Sequence, residues 1–163
     1  MGQRELLLTI GAIVIFALTT LSVNRRNLSN TDAILQRQAE FLAVGVAQRF
    51  IEEAKVKAFD ENTINGNPIS MPSGFTGSPL GPGEGESYPN FDDVDDFNGL
   101  TTTVPTNMGP MSVNVEVQYV HETKLDSVVS TKTFNKKMTV TVDCSYLNKP
   151  VALTYIFAFL KNP

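Results

Sequence analysis

A chain of 163 residues with a net charge of −4 has room for one domain and an anchoring segment, not for two full domains. The charge is divided: residues 1–57 carry a net +2 and residues 58–163 a net −6, with eight acidic side chains and no basic one from Asp60 to Asp96. An acidic outer region argues against a nucleic-acid face, which needs clustered Lys and Arg, and the single Cys144 excludes an intramolecular disulfide.

The first predicted element is a helix. Leu6 to Val23 is an uncharged, predominantly apolar run, about 27 Å long at ~1.5 Å per residue, enough to cross a bilayer core. Glu5 stands directly in front of it. A carboxylate beside hydrocarbon costs several kcal/mol, of the order of ~2.5–3.5 at a helix centre, and is kept where it has a partner. The expected partner is a positive charge at the start of a neighbouring chain, the Met1 amino group ahead of Arg4. A signal peptide is a poorer reading, because the run exceeds ~7–15 residues and Asn24-Arg25-Arg26 follows it in place of a small-residue cleavage site. A plain single-pass anchor accounts for the run but leaves Glu5 unexplained.

Glu5 followed without a gap by the apolar run resembles the mature N-terminus of the type IV pilin family, whose members carry Glu at the fifth position after removal of a basic leader. Counting Met1 as the first mature residue places Glu5 in register with that pattern. The resemblance is specific over residues 1–23, extends through the helix to about residue 57, and is architectural beyond it. Ser22 stands where many members have a helix-breaking Pro. The resemblance implies an N-methylated first residue, a leader peptidase and a pilus assembly machinery as partners, and a subunit contact made by Met1 and Glu5.

Residues 27–57 are predicted to continue as an amphipathic helix. Leu28, Leu35, Leu42 and Ile34, Phe41 recur at helical spacing, followed by Val46, Phe50 and Ile51, with charged and amide side chains over much of the remaining circumference. Ser29 to Asp32 supply N-cap residue types, so a helix could restart there. Thr19 to Asn27 is rich in Thr, Ser and Asn, which compete for backbone hydrogen bonds. A comparable segment is often unwound in assembled pilins, and an unwound stretch is expected.

Residues 58–110 are expected to be irregular: from Asn65 to Asn90 there are six Gly and five Pro. Ile64, Ile69, Met71, Phe75, Leu80, Tyr88 and Phe91 punctuate them as anchors for an ordered wrap over the sheet or a neighbouring subunit. Residues 111–163 then read as antiparallel β-structure. Met111, Val113, Val115, Val117 and Tyr119 alternate with polar residues, as do Met138, Val140, Val142, Cys144 and Tyr146. Glu122 to Thr133 is a hairpin tip or long loop. Val151 to Leu160 is a third strand, apolar on both faces and so expected to be covered on both. The fold class is α+β: a long N-terminal helix, hydrophobic in its first half, on a three- to four-stranded antiparallel sheet with a long Gly/Pro-rich loop. Residues 1–26 form the membrane or filament-core helix.

One motif suits metal chemistry. Asp92, Asp93, Asp95, Asp96 and Asn98, with Gly99 for a sharp turn, offer oxygen ligands for calcium. The spacing is not that of an EF-hand, because the Asn-Gly comes one residue late and no Glu closes the loop. A solvated acidic turn pinned by Phe91 and Phe97 is the plainer reading. No enzyme signature stands out. His121, the only histidine, falls on the apolar phase of its strand as a structural residue, Cys144 falls on the apolar phase of its own, and the glycines do not form a phosphate-binding loop.

These features lead to a structural, non-enzymatic expectation. The chain would be a subunit of a type IV pilus-like filament, inserted in the cytoplasmic membrane before assembly and extracellular afterwards, polymerising with itself through its N-terminal helix. Adhesion, motility and DNA uptake are the associated roles. A type II secretion pseudopilin and a monomeric, membrane-anchored, calcium-binding surface domain are the alternatives.

Overall fold

The structure is a computed structural model that describes residues 2–64 and 69–160. The chain falls into two compact units, Met1–Gln38 and Ala39–Pro163.

The first unit is helical, the leading part of α1 (Gln3–Lys55). Its apolar side chains lie open, with Leu7 68% and Phe16 73% exposed. α1 contains a segment long and apolar enough to cross a membrane. The helix runs unbroken through residues 19–32, so neither the unwound stretch nor the restart expected there is present in the single chain. Thr19 and Thr20 both donate to the Phe16 carbonyl, and Thr31 to that of Asn27, so these three hydroxyls add to the helix carbonyls without displacing the ladder amides. Met1 and the side chain of Leu28 lie outside the described residues.

The second unit places the end of α1 on a five-stranded antiparallel sheet. The strands are β1 (Thr101–Thr106), β2 (Gly109–His121), β3 (Lys124–Val128), β4 (Asn135–Asp143) and β5 (Val151–Ala158), in the order β1-β2-β4-β5, with β3 pairing the end of β2. β2 is the spine. Its first half pairs β1 (Thr102 opposite Val113) and its length pairs β4 (Val115 opposite Val140). Met111, Val113, Val115, Val117, Met138, Val140 and Val142 form one buried face. At 20–33 cal/mol per Å² of apolar surface, such side chains contribute about 1.5–3 kcal/mol each.

The face of α1 that meets this layer differs from the expected stripe. Ala39, Ala43, Ala47 and Ala54 are fully buried alongside Val46, Phe50 and Ile51, whereas Phe41 is 83% exposed and Ile34 also faces solvent. The buried face thus combines four alanines with the expected Val46, Phe50 and Ile51.

Two strands lie where loops were expected. β1 falls inside the 58–110 region. Its Pro105 is tolerated because β1 is an edge strand with only β2 as a neighbour. β3 is the returning arm of the Glu122–Thr133 hairpin, and all five of its residues are exposed. The rest of 58–110 wraps the core in order: Phe75, Leu80, Phe91, Val94 and Phe97 are all buried. β5 is the other edge. Leu153, Ile156 and Phe157 are half-buried while Ala152, Thr154 and Ala158 are exposed, so the chain's own loop does not cover both faces of 151–160.

Candidate functional site

The first candidate is the start of α1. Glu5 lies in its first turn, and Glu5 Oε2 accepts a hydrogen bond from the Gly2 amide at 3.1 Å. The carboxylate therefore satisfies one unpaired amide of the helix start and complements its dipole within the chain. Met1, the other expected contact residue, lies outside the described residues.

The second candidate is buried. α1 ends at Lys55, and the following segment pairs with the Asp-rich turn: Ala58 N–H donates to Asp92 O, and Val94 N–H donates to Ala58 O. This parallel bridge brings Asp60 beside Asp93, Asp95 and Asp96, all four of them buried. Lys136 enters from β4, one alternation ahead of Met138 and on the same inward phase. Its Nζ lies 2.8 Å from Asp60 Oδ2, 2.6 Å from Asp95 Oδ1 and 2.8 Å from the Phe59 carbonyl. The rings of Phe59, Tyr119 and Phe75 stand 4.4, 5.1 and 5.9 Å from the same nitrogen.

The carboxylates are not equivalent. Asp60 is held by donors: Thr76 N–H reaches both oxygens, Asn62 N–H and the Thr76 hydroxyl reach Oδ1, and the Tyr119 hydroxyl reaches Oδ2. Burial acts to raise its pKa, but the charge of Lys136 and these hydrogen bonds hold it below the ordinary aspartate value. Neither oxygen of Asp95 accepts a well-formed hydrogen bond. Burial pushes its carboxyl up to about 7, against the pull of Lys136. Asp93 rises to about 8, through burial first and then the charges of Asp95 and Asp96. Burial followed by the nearby carboxylates raises the Tyr119 hydroxyl as well. One cation thus serves two adjacent carboxyl groups, and Asp60 is the better stabilised as an anion.

The five calcium candidates do not converge on one point. Asp93 Oδ1 accepts the amides of Asp95 and Asp96, and Asp96 Oδ2 those of Asp92 and Asp93, so two carboxylates fold the turn itself. Asp95 faces Lys136. Asn98 clamps the turn to the sheet: its Oδ1 accepts from Val117 N–H and its Nδ2 donates to Leu80 O. Gly99 follows with φ +82°, the conformation the turn requires. Asp92 alone is exposed, and it joins Glu61 and Glu86, whose oxygens lie within 4.8 Å of one another with it.

The sequence reading missed Asp60, Tyr119 and Lys136. The signal was there: extending the β4 alternation back from Met138 puts Lys136 on the buried phase, and Tyr119 ends that of β2. His121 is exposed, not on the inner face: Tyr119 and Val120 are both buried, which breaks the alternation just before it, and the pairing with β3 shifts register between Val120 and His121. Cys144 is half-buried against the core just past the end of β4.

Comparison with protein-family models, with curated proteins and with solved structures finds no match.

Proposed function

We propose that this chain is the structural subunit of a type IV pilus-like filament, inserted in a membrane through residues 1–26 and then polymerised with copies of itself. The observation that carries the reading is the uncharged apolar run on α1, headed by Glu5 in its first turn and open along its length. Such a surface requires lipid or other helices around it. A carboxylate at the edge of that layer, whose partner within the chain is the Gly2 amide, becomes a register mark where a cation of the next chain meets it. Two further features agree. Phe41 and Val44 add exposed apolar surface to the helix beyond the membrane run. The rest of the chain, residues 58–163, is acidic, with a net charge of −6.

The test compares Glu5→Ala and Glu5→Leu with wild type in cells, separating membrane from sheared surface material. Both variants should stay in the membrane at normal levels and fall sharply in the sheared fraction. Normal amounts of both variants in that fraction would remove Glu5 from the assembly mechanism.

A further inference from the structure

We propose that Lys136 and Asp95 become joined by an amide bond between Lys136 Nζ and the Asp95 side-chain carboxyl carbon, formed inside the folded domain without a second protein. The reacting groups already touch: Nζ is 2.6 Å from Asp95 Oδ1, and the carboxyl carbon lies at most ~1.2 Å further, one C–O bond. Both side chains are sealed, with 0% and 2% exposure. Neither Asp95 oxygen takes a well-formed hydrogen bond, so the ion pair with Lys136 is the contact that orients that carboxyl. Phe59, Phe75 and Tyr119 wall the nitrogen with rings.

Asp60 supplies the third group. It lies 2.8 Å from the same nitrogen and is fixed by Thr76, Asn62 and Tyr119, which suits a proton carrier and not an electrophile. The step balances without an oxidant. One proton passes from the Nζ ammonium to the Asp95 carboxylate through Asp60, giving an amine and a carboxylic acid. The nitrogen lone pair then attacks the carboxyl carbon to give a tetrahedral intermediate. Asp60 removes a second proton from nitrogen and returns it to the departing hydroxyl. The C–OH bond breaks, a C–N bond has formed, and one water leaves.

Amide formation from a free acid and amine is opposed in water, where the product competes with bulk solvent. Here the groups are held together, and effective molarities for oriented intramolecular partners reach roughly 10⁵–10⁸ M. The reaction also replaces the Lys136–Asp95 ion pair with a neutral amide, and leaves Asp60 to the hydrogen bonds of Thr76, Asn62 and Tyr119 in place of its cation. The link would bind the Asp-rich turn to β4 across 41 positions, from 95 to 136. It would restrict the unfolded chain as a disulfide does, in a sequence whose single cysteine cannot form one within the chain.

The experiment is intact-mass measurement of the full-length protein in detergent, followed by sequencing of its proteolytic peptides. Wild type should be one water lighter than its linear mass and yield a branched peptide containing Asp95 and Lys136. Lys136→Arg and Asp95→Ala should each return the linear mass. Asp60→Asn, with its fold verified by circular dichroism, should remain predominantly linear although both reacting residues are intact. A wild-type chain of linear mass, with Asp95 and Lys136 on separate peptides, overturns the proposal whatever the variants do. A branch through Asp60 overturns the assignment of Asp95, and full linkage in Asp60→Asn overturns the proton-carrier role.

Discussion

Lys136 and Asp60, 76 residues apart in sequence, meet at 2.8 Å with neither side chain exposed. Removing the cation alone strands two carboxylates in the interior. Lys136→Met should therefore destabilise the domain by at least about 3–5 kcal/mol, the usual range for a broken buried pair, to which loss of the proposed amide link would add. The triple change Lys136→Met, Asp60→Asn, Asp95→Asn should recover part of that loss, because it removes the charges together. Denaturant unfolding checks both. A Lys136→Met variant as stable as wild type would mean that the cluster is open to water.

Asp93 gives the pH dependence. Its pKa rises from an unfolded value near 4 to about 8 in the fold, burial being the main cause. Over that interval the folded state holds the proton more tightly than the unfolded chain, so stability falls as pH rises from about 4 to 8 and levels off above. The contribution of one proton approaches ~1.4 kcal/mol per pH unit inside the window. Asp93→Asn keeps an oxygen for the amides of Asp95 and Asp96 but cannot ionise, and should flatten the slope in denaturant melts between pH 5 and pH 7, about a unit inside either limit. An identical slope in the variant would assign the effect to another group.

How much of this was legible in the sequence depended on the residue. β2 and β4 could be read because their alternation is strict, and the length of α1 followed from its apolar run and amphipathic continuation. β1 was hidden by Pro105 and four threonines, a composition typical of loops that an edge strand also accepts. The helix face is legible in part: Val46, Phe50 and Ile51 are buried as their spacing predicts, whereas Ile34 and Phe41 are exposed and Ala39, Ala43 and Ala47, which an apolar pattern of large residues passes over, are buried. The Asp-rich turn was found, but its chemistry was decided by Asp60 and Lys136, which only the tertiary fold brings beside it.

Calcium should leave the melting temperature of the domain unchanged relative to chelator, because Asp93, Asp96 and Asn98 fold the turn with one oxygen each and Asp95 faces the Lys136 cation. A rise with calcium that Asp92→Asn abolishes would place a cation on the exposed group with Glu61 and Glu86 and contradict this expectation.

Phe159 tests the edge beyond β5. Its ring contacts Phe59, Phe75 and Phe134 at centroid distances of 5.4, 5.1 and 6.3 Å, yet the residue is only half-buried. Phe159→Ala should cost about 2 kcal/mol, below the ~3–5 of a fully buried ring, whereas Leu160→Ala, at a position 87% exposed, should be silent in the same melts. Equal costs would mean that the order of burial along this segment is wrong.

The filament reading is tested most directly by electron microscopy of sheared cell-surface material, labelled with antibody against residues 39–163. The account predicts thin filaments of uniform diameter labelled along their whole length, and their loss in Glu5→Leu cells that retain the protein in the membrane. Protein confined to the membrane as a monomer, with no labelled filament in wild-type material, would contradict it.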